Sequence, residues 1–387
     1  MQIYVVRPGD TLWGIAQRYS ISPDLLAAAN EIPNPDRLVI GQAIVIPTVT
    51  QEPRPMIETG AYLDVADTGA ASPAVVDRVG IHLTYLTIFS YAVNRDGSLT
   101  PITDESAIQA AYRQRALPLM VLTNFENGTF SQELATAILS SEELQGTVLD
   151  NAIAIMEQKG YRGLNVDFEY LGAENRERYN EFMRRAAARL RPLNLLLSSA
   201  LAPKTSADQP GTLYEGHDYR AHGETNDMVF LMTYEWGWSG GPPMAVAPID
   251  QARAVLEYAV TEIPRNKIMM GIPLYGYDWT LPYVPGGQWA RSISPQEAIG
   301  LALRYNTSIE YDYAAQAPFF NYIDEEGRYH IVWFEDARSI QAKFNLVKEL
   351  GIRGFFYWVL GRDFPQNWLL IEDNFVVRKY GSGQINL

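Results

Sequence analysis

The sequence predicts an α/β protein: a (β/α)8 barrel with an α+β insertion between its seventh and eighth strands, preceded by a small βααβ unit. Three observations predict it. The chain has 387 residues, room for two or three domains at roughly 100 to 200 residues each. Residues 47–55 read Pro-Thr-Val-Thr-Gln-Glu-Pro-Arg-Pro, without apolar periodicity, and divide a short leading unit from the rest. Beyond that break, strand-like and helix-like segments alternate, as βα units do.

The leading unit, residues 1–47, opens with an alternating strand from Ile3 to Val6 and turns at Pro8-Gly9-Asp10. Thr11 can cap a helix carrying Leu12, Ile15, Ala16 and Tyr19. Ser22-Pro23-Asp24 starts a second helix with Leu25, Leu26 and Ala29, and residues 39–46 close the unit as a strand. Residues 48–56 are expected to be a linker.

The barrel should occupy residues 57–387. Its strands are expected at 57–64, 83–91, 119–125, 163–169, 195–201, 228–236, 268–275 and 354–360, with helices between them such as 175–190. About 80 residues separate the last two strands, more than one helix needs, which places an insertion at about 280–336. Within it, 322–333 reads as a hairpin around Glu326-Gly327.

Composition narrows the function. Hydrophobic residues at 47% and charged residues at 20% are those of a folded globular chain, which excludes disorder, collagen-like repeats and coiled coil. A net charge of −14 repels phosphate backbones and anionic lipid, so neither nucleic acid nor a membrane surface is an expected partner. Cysteine is absent, and His82, His217, His222 and His330 form no metal-binding pattern, so no metal or other cofactor is expected. The N-terminus has no basic region followed by an apolar stretch, so neither a signal peptide nor a transmembrane helix is expected. The 8 Trp, 23 Tyr and 14 Phe supply flat rings for stacking on sugars.

The fourth strand reads Gly163-Leu164-Asn165-Val166-Asp167-Phe168-Glu169. Alternation puts Asn165, Asp167 and Glu169 on one face, looking into the barrel. Two carboxylates buried side by side cannot both ionise cheaply, so one should hold a proton near neutrality and serve as a general acid.

Two resemblances sharpen this reading. Tyr4-x-Val6, Pro8-Gly9-Asp10-Thr11-Leu12, Ile15-Ala16, Leu25, Asn30, Leu38, Gly41-Gln42 and Ile46-Pro47 resemble a complete LysM domain. That implies a shallow groove for N-acetylglucosamine glycans, lined by Gly9, Asp10, Thr11 and Leu12 on one side and by Ile32, Pro33 and Asn34 on the other. Gly163-x-Asn165-x-Asp167-x-Glu169 resembles the Asp-Gly-x-Asp-x-Asp-x-Glu signature of glycoside hydrolase family 18. Met232-Thr233-Tyr234-Glu235 is similar to that family's Met-x-Tyr-Asp, and Trp358 to its sugar-site tryptophan.

Departures are visible: Arg162, Asn165, Phe168 and Glu235 replace the family's Asp, Asp, Trp and Asp, and Leu122-Thr123-Asn124 lacks a Ser-x-Gly-Gly. They resemble the LysM-bearing subgroup of spore cortex-lytic N-acetylglucosaminidases. The resemblance implies a retaining, substrate-assisted mechanism, an exception to the two-carboxylate scheme. Glu169 is then the acid, Asp167 orients the substrate acetamide and Tyr234 donates to its oxygen. Asn165, Trp358, Asn124, Tyr91, Tyr275 and Glu235 are expected to line the sugar site. The implied partner is peptidoglycan or a chitin-like glycan, bound by a monomer deposited in the spore coat or cortex.

Two rivals remain. Gly237-Trp238-Ser239-Gly240-Gly241 fits the nucleophile elbow of serine hydrolases, but Pro242-Pro243 follows where that elbow needs a helix. Barrels of this family also occur as lectins, which usually lose the acid; Glu169 favours catalysis.

Overall fold

A computed structural model describes residues 1–32, 34–48 and 53–380. Eight parallel strands close the barrel: β1 (Met56–Asp64), β2 (Tyr85–Ala92), β3 (Leu117–Thr123), β4 (Gly163–Asp167), β5 (Leu196–Leu201), β6 (Met228–Leu231), β7 (Ile268–Pro273) and β8 (Gly354–Trp358). Each pairs with the next, and β8 returns to β1. Every residue of β3 is buried, because a parallel strand has the barrel interior on one face and helices on the other. Inside lie Tyr62, Tyr85, Leu119, Phe230, Met269 and Phe356. Outside, Leu86, Ile88, Leu122 and Leu164 meet helices such as Glu142–Lys159. Ser141 caps that helix through the Leu144 N–H, and Gly160 ends it at φ +82°.

The sequence placed all eight strands, with ends off by a few residues. Strands four and six stop earlier than expected, at Asp167 and Leu231, so Glu169 and Tyr234 stand on the loops just beyond them. No helix among the described residues is long and apolar enough to cross a membrane.

The insertion is a five-stranded antiparallel sheet, in the order Arg291–Ile293, Gly276–Leu281, Tyr329–Trp333, Ala317–Ile323, Glu310–Asp312. The helix Pro295–Arg304 packs with it through Ile299, which shares one buried cluster with Ile293, Phe320 and Val332. The expected hairpin is present, with Ile323 opposite Tyr329 and Gly327 at φ +79° in the turn. The insertion begins earlier than expected, because Gly276–Leu281 follows β7 almost at once.

The leading unit has strands Gln2–Val5 and Ala43–Ile46 around helices Leu12–Arg18 and Pro23–Asn30. Its closing strand is shorter than expected, since 39–42 form a turn. It is not a module on a free tether. Ile44 and Ile46 face its own core, while Ala43 and Val45 join the barrel's outer core and Val39 joins the core of the insertion. The Gln296 Nε2 donates to the Glu31 carbonyl at 2.8 Å, and the Ile309 N–H to the Ile40 carbonyl at 2.8 Å. Gly41 has φ +84°, and a Cβ there would lie 1.8 Å from the Ile309 carbonyl oxygen, so only glycine permits the contact. Residues 49–52 of the expected linker lie outside the described residues.

Candidate active site

Asp167, the last residue of β4, points into the barrel mouth at 4% exposure, and its Oδ1 has no hydrogen-bond partner among the described residues. Burial pushes its carboxyl up to about 7. Glu169, half-buried two residues on, is raised well above the ordinary carboxylate range by burial, then by the charges of Asp167 and Glu235. Tyr234, on the loop after β6, feels the charges of Asp167, Glu169 and Glu235 and packs edge-on against Phe356 at 6.2 Å. Trp358 closes one side, half-buried at the end of β8, with its ring 5.4 Å from Tyr62 and 5.1 Å from Phe89. The structure thus gathers four of the expected residues, Asp167, Glu169, Tyr234 and Trp358, at the C-terminal ends of the strands, where barrels of this kind carry their sites.

Glu235 and Tyr275 also meet at the mouth. Glu235 adopts φ +66°, and its Oε1 accepts from the hydroxyls of Tyr275 and Tyr277, the latter at 2.9 Å. Burial raises the Glu235 carboxyl, against the opposing effect of the two hydroxyls.

Three expected sugar contacts are corrected. Asn165 is sealed beneath Asp167: its Oδ1 accepts from the Tyr62 hydroxyl at 2.8 Å and its Nδ2 donates to Ser198 Oγ at 2.8 Å. Both ends of its amide are engaged inside the barrel. Asn124 is buried and spends its amide on backbone, donating to the carbonyls of Ser131 at 3.0 Å and Glu169 at 2.9 Å and accepting from the Glu169 N–H at 3.0 Å. Tyr91 lies in the layer between sheet and helices, where its hydroxyl donates to Asp104 at 2.6 Å. A register shift between Ile88 and Tyr91 against β3 breaks the alternation that would have aimed it inward with Tyr85 and Phe89.

The sequence reading missed the support behind Glu169. The His217 Nδ1 accepts the Ala202 N–H at 2.9 Å, so its Nε2 carries the proton and donates to the Phe168 carbonyl at 2.8 Å. Asn124 and His217 therefore fix two consecutive peptides, those of Phe168 and Glu169. No local motif could have revealed this, because the partners lie about 45 residues away on either side. Also missed were Trp238 and Trp289, 43% and 66% exposed, which meet edge to face at 5.8 Å in the loops beyond Glu235. Exposed tryptophans outside any helical or strand periodicity were the available signal.

The serine-hydrolase motif is not an elbow: Ser239 sits in a loop bonded to Ala290 by its carbonyl, and the next helix starts at Ile249. Among the described residues no group of three or more His, Asp or Glu side chains is placed to hold a metal ion.

In the leading unit, Gly9 and Thr11 are exposed, and Asn34 is half-buried. Thr11 caps its helix through the Gly14 N–H at 3.0 Å, and Asp10 accepts from Tyr4 at 2.7 Å and from the Arg7 N–H at 2.8 Å. The Leu12 and Ile32 side chains are core, so they contribute backbone rather than apolar wall to any groove. Pro33 lies outside the described residues.

A buried acid at the end of β4 with a half-buried one two residues on, a tyrosine on the loop after β6 and a tryptophan at the end of β8 have the make-up of a glycoside hydrolase site. The chain belongs to the glycosyl hydrolases family 18, which it matches over residues 80–363, and residues 4–47 match the LysM domain. It is 47% identical over 429 aligned residues to the cortical fragment-lytic enzyme of Bacillus subtilis, covering 98% of this chain and 99% of that protein. It is also similar to the crystal structure of the Bacillus megaterium spore cortex-lytic enzyme SleL, with a TM-score of 0.94, 44% identity, and coverage of 98% of this chain and 99% of that one. A chitinase from Chromobacterium violaceum matches with a TM-score of 0.75 at 26% identity, over 82% of this chain and 98% of that one. The chain is therefore a glycosidase, and its two units are those of a protein that binds N-acetylglucosamine glycans.

Proposed function

We propose that the enzyme cleaves β-1,4 bonds next to N-acetylglucosamine in peptidoglycan of the spore cortex, or in fragments of it, with retention and without a protein nucleophile. The observation that carries the reading is the pair at the end of β4: Glu169 kept protonated by burial and by its acidic neighbours, beside Asp167. The names of the relatives supply the cortex.

In this reaction Glu169 gives its proton to the glycosidic oxygen as the substrate's acetamide carbonyl attacks the anomeric carbon. The glycosidic bond breaks, the leaving sugar departs as an alcohol, and an oxazolinium ion remains. Asp167 accepts a hydrogen bond from the acetamide N–H and balances the positive charge growing there, and Tyr234 donates to the acetamide oxygen. Glu169, now a carboxylate, takes a proton from water as that water opens the ring. Trp358 floors the reacting sugar, and Trp238 with Trp289 offers stacking faces on the leaving side. The LysM unit holds the glycan through the loops at Gly9 to Thr11 and at Asn34. The enzyme acts as a monomer associated with the spore, independent of nucleic acid, membrane or cofactor.

Mass spectrometry of the products released from purified cortex and from vegetative wall tests the proposal. Release of fragments ending in reducing N-acetylglucosamine from cortex is the expected result; products ending in reducing muramic acid would contradict it.

A further inference from the structure

A cavity of about 270 Å³ lies away from the carboxylates, between the LysM unit and the barrel. Ala28 and Glu31 of the module wall one side, and Val75, Arg78, Trp368 and Asp363 of the barrel wall the other. We propose that this crevice is a further glycan subsite, holding an uncharged, N-acetylated stretch of the same chain that the module and the barrel mouth engage.

Five features argue for it. The walls are preset, because the Gln296 bond to the Glu31 carbonyl and the close approach at Gly41 lock module to barrel, so little ordering is needed on binding. The lining is amphipathic in the way a sugar is, with Ala28, Val75 and Trp368 for ring and acetamide methyl faces and Glu31, Arg78 and Asp363 for hydroxyls. The rim holds both signs, with Arg78 3.0 Å from Asp363, which suits a neutral glycan better than a polyanion. His82, stacked on Trp368 at 5.5 Å, is kept neutral by burial, so it adds no charge to a lining that also holds Arg362 and Glu372, one of each sign. Finally, each unit brings to the crevice residues that adjoin its proposed glycan-contacting loop in sequence. Glu31 immediately precedes the loop that holds Ile32 and Asn34, and Gly361 to Asp363 follow Trp358 by a few residues at the end of β8.

The inference rests on the proposed glycan specificity, so the test separates the two. Binding of N-acetylated chito-oligosaccharides of increasing length is measured by calorimetry on the full chain carrying Glu169→Gln, which holds substrate without turnover. Two further substitutions are compared in that background, Ala28→Trp to fill the crevice from an exposed position and Arg78→Glu to reverse its rim. The expected result is a gain in affinity with length that each substitution reduces by about tenfold or more, while binding of the shortest oligomers is unchanged. In the otherwise unmodified enzyme, each should leave hydrolysis of short soluble substrates within about twofold, below the tenfold that 1.4 kcal/mol represents. Full-length affinity retained in both variants, or no gain with length in the parent, overturns the subsite. Failure of the enzyme with Glu169 intact to hydrolyse any N-acetylated glycan overturns the proposed function instead.

Discussion

The Asn124 amide is bonded in both directions to the backbone of Glu169, its Nδ2 donating to the Glu169 carbonyl at 2.9 Å and its Oδ1 accepting from the Glu169 N–H at 3.0 Å. The residue that carries the acid is thereby held by a side chain from the neighbouring strand end rather than by the sheet, which has already stopped at Asp167. Asn124→Asp keeps the acceptor but cannot donate while ionised. It should lower kcat by about 10²-fold, the cost of a small misplacement of a catalytic group. Part of that loss should return at acidic pH, where the introduced carboxyl takes up a proton and donates again. A pH-independent kcat near that of the parent would remove Asn124 from this role.

Glu235 enters through charge. Its carboxylate is among the causes that hold the Glu169 proton in place, after burial and after Asp167. Removing a negative neighbour makes ionisation easier, so Glu235→Gln should lower the Glu169 pKa and move the alkaline limb of kcat/KM toward acid. The pH profile of the variant is the measurement, and an unmoved limb would show that Glu235 does not bear on the acid.

His217 gives a stability prediction. Burial holds its imidazole down at about 4, against an ordinary 6.5; the bond to the Phe168 carbonyl opposes this and the nearby Lys204 charge adds to it. The unfolded chain takes up this proton first as pH falls, so the folded protein should lose stability between about pH 6.5 and 4. His82 and His222 are shifted in the same direction and should add to the loss. His217→Gln can still accept from Ala202 and donate to Phe168 but does not titrate, so its Tm should fall less steeply over that range while kcat at neutral pH stays within a few-fold. An equal slope would place the acid sensitivity elsewhere.

The docked module gives a fourth. Gly41→Ala meets both a left-handed φ and the Ile309 carbonyl, and should destabilise by at least about 1 kcal/mol. The loss should appear as a lower Tm and faster proteolysis of the leading unit, with little change in turnover of short soluble substrates. Deleting residues 1–50 should be worse than neutral for the barrel, since it uncovers the surface that Ala43 and Val45 bury. A deletion variant as stable as the full chain would make the docking incidental.

What the sequence revealed and what it hid follow from how local each signal is. The barrel strands were legible because runs such as residues 117–122 are apolar throughout, and Asp167 with Glu169 because a strand carries its spacing on one face. Tyr91 was misread because a register shift is set by the neighbouring strand. Asn124 was misread because its role depends on a backbone 45 residues away. The docking did leave a mark: Ala43-Ile44-Val45-Ile46 is apolar at every position, and a two-stranded module with one free face would alternate. The proline-rich stretch beside it drew the reading toward a tether.

Substrate assistance is the central claim, and paired turnover measurements on two glycans of equal length test it most directly, one with and one without the N-acetyl group on the reacting sugar. If the acetamide is the nucleophile, the second should be essentially inert, and a thiazoline analogue of the oxazolinium should compete with the first. Comparable turnover of both glycans, with a glycosyl adduct on Asp167 trapped by a fluorosugar and detected by mass spectrometry, would contradict it.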